Sequence, residues 1–423
     1  MTTYYVDGNA GNDSADGSSN APWKTIGRAT EQAKSGDEVR IRTATYREIV
    51  RLRTDNTTWK ADTGHTPVID GGYHEGLFRA DGTLPHPDLQ TAFLPDQVLG
   101  SMVSLSATGV VLDGLTVQNV AGTAISVSES RCIVRNCRID FTYGTAIRVS
   151  PVTYIDNVLI ENNVSTRISV RYYDPLRTGG GPESVSGVIR VGRARDCIVR
   201  NNICAYGHGE GINLDKAGYR TLVEGNIVHT CNHVHIYINR TIDAVIRNNL
   251  VYHLYLDDFV GEDGRPPAGI AIGDELGGDG SWPYSAGGQI YNNIVVGLGA
   301  LLSIRNNARS YNTQLDNCYI GYNTFIGGAK TVEAVAIAGN MQGRPHRPSL
   351  IENNIFHGGQ QISKANGDLS AIAFRNNLWG EQPAAAMRGP GDRIGNPNLA
   401  NPTAELRGKF PDAASSIDPR NYQ

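Results

Sequence analysis

The 423-residue sequence predicts an all-β solenoid: one domain of short strands wound into stacked coils, with a single helix over the first coil. Three observations carry that prediction. A motif of the form charged–Asn–Asn–apolar recurs along the chain. A second motif of alternating apolar residues lies between its copies. Glycine, at 49 residues, accompanies many asparagines and β-branched residues, a balance that favours short strands and tight turns over helices.

The first motif reads RNCRI from Arg135, ENNVS from Glu161, RNNIC from Arg200, EGNIV from Glu224 and RNNLV from Arg247. It continues with YNNIV from Tyr291, YNTFI from Tyr322, ENNIF from Glu352 and RNNLW from Arg375. Asn202, Asn226 and Asn249 are separated by 24 and 23 residues, and Asn354 and Asn377 by 23. The second motif reads AISVS from Ala124, AIRVS from Ala146, VIRVG from Val188, GINLD from Gly211 and HIYIN from His235. Each period thus holds short alternating strands, and no helical pattern interrupts them, which argues against a βαβ fold. One strand pair cannot bury its apolar face, whereas stacked coils bury a continuous core.

The elements follow in order. Residues 1–50 form an N-terminal strand and capping helix, the helix read from Ile26, Ala29 and Ala33 within Trp23–Ala33. Open solenoid ends need such a cap. Residues 51–390 form the coils with their loop insertions, and 391–423 form the C-terminal cap.

Composition removes several functions. A net charge of −4 argues against a nucleic-acid partner. No run of eighteen apolar residues occurs, so no membrane span is expected. The start, MTTYYVDGNAG, shows neither a basic nor an apolar leader region. Either the protein works inside a cell or on a virion, or a leader preceded this start; a secreted or cell-surface setting is the expectation. The six cysteines form no CxxC pair and read as buried thiols.

With these repeats the chain resembles the right-handed parallel β-helix proteins of the pectate-lyase-like superfamily, over nearly its whole length. The opening YYVDGNAGNDSADGSSNAPWKTIGRATEQAKSGDEVRIRTATYRE is similar to the start of many bacterial members. GNPNLANPTAELRGKFPDAASSID resembles their usual C-terminal segment. The resemblance implies that the repeated Asn stands at a coil corner, where its amides stack in a ladder and it also makes the turn.

In such a fold, equivalent residues of successive coils lie about 4.8 Å apart, so register becomes a map of neighbours. With apolar residues inward, Ser126, Arg148, Arg190, Asn213, Tyr237, Ala271 and Ser303 form one outward column. Ser128, Ser150, Gly192, Asp215, Asn239, Gly273 and Arg305 form the next. Both read as exposed. Asn202 to Ile212 and Asn226 to Ile236 each span 10 residues, against 26 from Asn163 to Ile189 and 21 from Asn249 to Ile270. Long loops therefore flank two short coils, and a third insertion follows Ile272. Long loops on a regular scaffold usually carry function, so a cleft is expected here.

The expected cleft gathers cations, acids and histidines. Arg148, Arg190, Arg193, His208, Asn213, His233, Asn239, Arg240 and Asp274 are the candidate substrate-binding residues. Asp215, Lys216, Glu210, His235 and Tyr237 are the candidate catalytic ones, with Asp257, Asp258 and Glu275 on the walls. The first reading is a lyase acting on a uronic-acid glycan. β-Elimination needs cations on the carboxylate, a base for the C5 proton and a donor for the leaving oxygen. Lys216, His235 or Tyr237 is the base.

The second reading is a glycoside hydrolase. GEGINLDKAG is similar to the GDGIxLD coil of β-helix xylosidase-type hydrolases and puts Asp215 at their acidic position. Glu210, Asp274 or Glu275 would be its partner. The third is non-catalytic, a glycan-binding or phage-adhesion β-helix.

GHGEGINLD also resembles the GDDGxD coil of calcium-dependent exopolygalacturonate-type lyases, but Gly209, Glu210 and Asn213 stand where those carry aspartates. No cofactor is expected, with calcium as the alternative. His229, His233 and His235 suggest a transition metal, weighed against packing at a corner. The expected partner is a polysaccharide or oligosaccharide, bound by a monomer.

Overall fold

The computed structural model describes residues 1–72, 100–169, 187–254, 256, 259, 266–275, 283–307, 311–338 and 344–397. The chain forms two compact units, Met1–Glu210 and Gly211–Gln423. Each is built from parallel sheets in which the strands of successive coils pair in order.

In the first unit, one coil runs through Thr116–Val120, Thr123–Val127 and Ile133–Arg135, each strand pairing in parallel with its equivalents in the coils before and after. Inward residues stack in files: Val103, Ile125, Ile147 and Ile189 are in register and wholly enclosed. In the second unit Ile236, Ile270, Leu302 and Val335 form the corresponding file. Phe325, Phe356 and Trp379 stack with centroids 5.0 and 4.5 Å apart. This continuous burial is what one coil alone could not supply.

The Asn–Asn motif divides its labour, which corrects the expectation that one Asn makes both turn and ladder. The first residue turns the corner: Asn136, Asn162, Asn201, Asn248, Asn292, Asn353 and Asn376 all have φ between 54 and 57°. Asn tolerates that left-handed region better than other residues with a side chain. The second residue is buried and makes the ladder. In the second unit the Nδ2 groups of Asn226, Asn249, Asn293, Asn323 and Asn354 each donate to the Oδ1 of the next Asn, at 2.9–3.1 Å. The ladder ends at Asn377, whose backbone N–H donates to Asp392 at 2.8 Å.

The helix is shorter than the Trp23–Ala33 pattern suggests, Ile26–Gln32. Thr25 caps it, and the Glu48 carboxylate accepts from the N–H groups of Ile26 and Gly27. Ile26 and Ala29 are buried, while Trp23 lies outside the helix and stacks on Tyr4. At the other end Arg393–Ile394 pairs with Leu378–Trp379, and residues 398–423 lie outside the described residues. The six cysteines are buried free thiols. No helix among the described residues is long and apolar enough to cross a membrane.

Candidate active site

The first predicted column is in register within each unit. In the first unit Arg51, Ser104, Ser126, Arg148 and Arg190 are successive partners. Arg148 is exposed and Arg190 half-buried, and Arg148 reaches Ser150 Oγ at 3.4 Å. Arg193 turns the following corner with φ +48° and donates to the Val152 carbonyl at 3.1 Å. Glu210 is buried, its carbonyl accepting from Val188 N–H. Burial pushes the half-buried His208 down to about 4.

In the second unit Asn213, Tyr237, Ala271, Ser303, Ala336 and Lys364 are successive partners, as are Asp215 and Asn239. Here the expectation of an exposed face fails. Asn213, Asp215, Tyr237, Asn239 and Arg240 are buried, as is Ala271. The cause is local. Tyr237 lays its ring across the neighbouring strand, packing with Val234, Ala268 and Ala271 and donating from its hydroxyl to the Gly273 carbonyl at 2.9 Å. A Cβ at position 273 would stand 2.7 Å from the Tyr237 oxygen. Ala271 and Gly273 are the small residues that let this tyrosine lie flat.

A polar network joins the buried residues. Asn239 Nδ2 donates to Asp215 Oδ1 at 3.0 Å, and Asn239 Oδ1 accepts from Glu275 N–H at 3.2 Å. The Tyr237 hydroxyl also lies 3.1 Å from Glu275 Oε1, its single proton shared between that oxygen and the Gly273 carbonyl, and the Arg305 guanidinium carbon stands 5.8 Å from the Tyr237 ring centre. Glu275 is half-buried, so the phenol has an accessible carboxylate beside it. The register between the strands Ile212–Tyr219 and Ile236–Ile242 shifts between Asp215 and Gly218, where Lys216 takes φ +43°. Lys216 is thus at the corner the sequence predicts, on a bulge, a device that re-aims side chains near active sites.

The next corner, Arg240, also has φ +50°. Its N–H donates to Asp274 Oδ1 and its Nε to the Glu275 carbonyl, at 3.2 and 2.8 Å. Asp274 is 0% exposed. Its Oδ1 also accepts from Ser285 N–H and Oγ, while Oδ2 has no hydrogen-bond partner among the described residues. Burial holds its carboxyl above the usual carboxylate range, against the lowering by Ser285 and Arg240. Arg240 and Arg344 both stand over the Tyr284 ring, at 4.8 and 3.2 Å.

His235 does not join this group as a base. Its ring is 0% exposed, its Nδ1 bonds the Ala268 carbonyl at 3.2 Å, and its Nε2 accepts from Cys231 N–H at 3.3 Å. A carbonyl can only accept and an N–H only donate, which fixes the neutral tautomer and leaves no lone pair for a substrate. His229 stacks on Tyr252, and burial pushes it down to about 3. These rings pack the coil. His233, half-buried, is pushed down to about 4, mainly by burial and further by Arg305. Asp257 and Asp258 lie outside the described residues.

Sequence reasoning missed Arg344. It lies in a proline-flanked stretch, RPHRP, with no repeat to give its register.

Residues 101–272 match the family model described as a right-handed β-helix region. The fold is a right-handed parallel β-helix. A search of curated protein sequences returned no match. Among solved structures, the β-helix resembles PfbA, a surface adhesin of Streptococcus pneumoniae, at TM-score 0.53 and 11% identity over 88% of each chain. It resembles the A-module of the Azotobacter vinelandii mannuronan C-5 epimerase AlgE6 at TM-score 0.52 and 12% identity, over 86% of this chain and 83% of that one. XylC, solved with xylose, gives TM-score 0.51 and 13% identity over 87% and 86%. At these identities the likeness is one of fold.

Proposed function

We propose that this β-helix cleaves a uronic-acid-containing glycan by β-elimination at the second unit's network. The observation that carries the proposal is the Tyr237 phenol, hydrogen-bonded to the accessible Glu275 carboxylate with Arg305 beside its ring. Glu275 takes the C5 proton of the uronate. The freed electron pair forms the C4–C5 double bond as the C4–O4 bond breaks, and O4 takes the Tyr237 proton. Glu275 then returns its proton to the phenolate along their hydrogen bond, closing the cycle without another reactant. Arg305 offsets the charge that develops on the substrate carboxylate during proton removal.

Asp215 and Asn239 set the position of Glu275 through the Asn239 amide, and Lys216, Asn213, His233 and Arg240 line the same region. In the first unit, the paired Arg148 and Arg190, with Arg193 and His208, supply cationic and polar contacts for a glycan. Calcium is given no step, because position 209 has no side chain and Asn213 has no charge. The relatives in fold support a glycan as ligand: one is named as a mannuronan epimerase and one was solved with xylose.

A hydrolase is the second reading, favoured by Asp274, a carboxyl that burial keeps towards its protonated form. Glycan cleavage followed by the ultraviolet absorbance of the unsaturated product separates the two. Cleavage without that absorbance favours the hydrolase, and binding without cleavage favours an adhesin, the role named for PfbA.

A further inference from the structure

One corner of the second unit departs from the rule of its row. Gly225, Asn248, Asn292, Asn353 and Asn376 turn neighbouring corners at positive φ, and Tyr322 turns its own with φ +58°. Its N–H still donates to the Glu352 carbonyl at 3.2 Å, so the path of the coil is kept. A bulky side chain does not suit the left-handed region that Asn and Gly tolerate, and the cost is backbone strain. The ring is 57% exposed, so core burial does not offset that cost. Strain kept at an exposed aromatic residue points to a use outside the fold.

Two more tyrosines stand in the adjoining strands. Tyr291 and Tyr319 flank the enclosed Ile290 and Ile320, so both face outward. Their sheet holds Val245–Arg247, Gln289–Tyr291, Tyr319–Gly321 and Ser349–Glu352. The Tyr237 site belongs to a different sheet, that of Ile212–Tyr219, Ile236–Ile242 and Ala268–Ile272. Tyr291 is in register with Gly321, and a Cβ at position 321 would collide with the Tyr319 oxygen. The Tyr319 ring therefore lies flat along its own strand and ends opposite Tyr291.

The charges around these rings are matched among themselves. Arg247 donates from Nε to Glu224 Oε2 at 2.8 Å and from Nη1 to the Tyr291 oxygen at 3.0 Å. Arg375 donates from Nε to Glu352 Oε2 at 2.6 Å. Burial, and then the Glu352 carboxylate, push the Tyr319 phenol up to about 12, so it stays neutral. An acidic chain would have to displace Glu224 and Glu352, and a cationic one would have to displace the arginines. Neutral sugars need neither. The C–H face of a pyranose stacks on a flat ring, and its hydroxyls both donate and accept at the charged rim.

We infer that Tyr291, Tyr319 and Tyr322 form a platform for a neutral glycan chain, on a face apart from the Tyr237–Glu275 site. The platform holds the protein on a neutral polysaccharide while that site acts on an acidic one. It does not depend on the β-elimination reading.

The test is calorimetric binding of cellohexaose, xylohexaose and mannohexaose, with hexagalacturonate for comparison, to wild type, Tyr322→Asn and Tyr322→Phe. Wild type should bind at least one neutral hexasaccharide. Tyr322→Asn restores the residue of neighbouring corners, so its thermal midpoint should equal or exceed the wild-type value. Its Kd for that sugar should rise on the order of tenfold. Tyr322→Phe keeps the stacking face and should bind within about threefold of wild type.

A lowered thermal midpoint or failed folding in Tyr322→Asn would make the ring a packing residue and overturn the platform. So would a wild type that binds none of the neutral hexasaccharides, or neutral binding that Tyr322→Asn leaves unchanged. Tyr322-dependent binding of hexagalacturonate alone would overturn the neutral class. Turnover of uronate polymers should be the same in wild type and Tyr322→Asn, so the outcome for the platform stays distinct from that for the reaction.

Discussion

Lowering the pH from 7 to 5 should strip much of the second unit's stability, through three histidines. His229, His235 and His253 are packed in the coil interior, His235 edge-on to His253 at 5.6 Å. Burial is the leading cause that holds each below its ordinary value of 6.5. His229 is pushed down to about 3, with His253 adding to it, and His253 to about 4, with Lys330 adding to it. His235 is held well below. The unfolded chain therefore takes up protons below about pH 6.5 that the folded chain refuses until about pH 4, so stability falls across that window as pH drops.

For a group moved from 6.5 to about 4, the loss at pH 5 is about 2 kcal/mol, so His229 and His253 together lose roughly 4 kcal/mol, and His235 adds to the loss in the same direction. Domains are commonly stable by about 5–15 kcal/mol, so the protein should be close to unfolding near pH 5. The carboxylates held low, such as Asp37 and Asp140, lose their contribution only below about their ordinary value of 3.8, outside this window. Urea midpoints by circular dichroism at half-unit pH steps measure the slope. His253→Gln should make that slope visibly shallower. A midpoint that stays flat from pH 7 to pH 5 would refute the reasoning.

Two further predictions concern the scaffold and its hold on the site. Asn293→Ala removes an amide that donates to Ile246 O and Asn323 Oδ1 and accepts from Asn249 N–H and Nδ2. With several buried groups orphaned, the expected loss is about 4 kcal/mol, read by chemical denaturation; a loss under about 1 kcal/mol would remove the ladder from the account of stability. Gly273→Ala sets a methyl against the Tyr237 hydroxyl and shifts it from Glu275. Turnover should fall on the order of tenfold or more with thermal stability changed by only about 1 kcal/mol; wild-type turnover would contradict the assigned role of that hydrogen bond.

The coils were legible because each obeys the same local rule: alternating strand, Asn turn, alternating strand. Register followed from that repeat, and Arg148–Arg190, Asn213–Tyr237 and Asp215–Asn239 are the pairs it predicts. Burial was less legible. Tyr237 stands at an outward position, yet a large ring beside Ala271 and Gly273 folds over them, and alternation alone says nothing of that. His235 occupies an end-of-turn position whose bonds to Cys231 and Ala268 depend on another coil. Arg344 comes from a loop that no periodicity places, and only the folded chain brings it to Tyr284. Repeats disclose neighbours along a column; they do not disclose which loop returns to that column.

The central claim is the β-elimination at Tyr237 and Glu275, and one measurement tests it most directly. Wild type and Tyr237→Phe are incubated with a panel of uronate-containing glycans while the unsaturated-uronate absorbance is followed. Wild type should generate that absorbance on at least one polymer. Tyr237→Phe, which keeps the ring and its packing, should bind the same polymer but turn over about 100-fold or more slowly. Cleavage that leaves no unsaturated end, or a Tyr237→Phe variant as fast as wild type, would contradict the account.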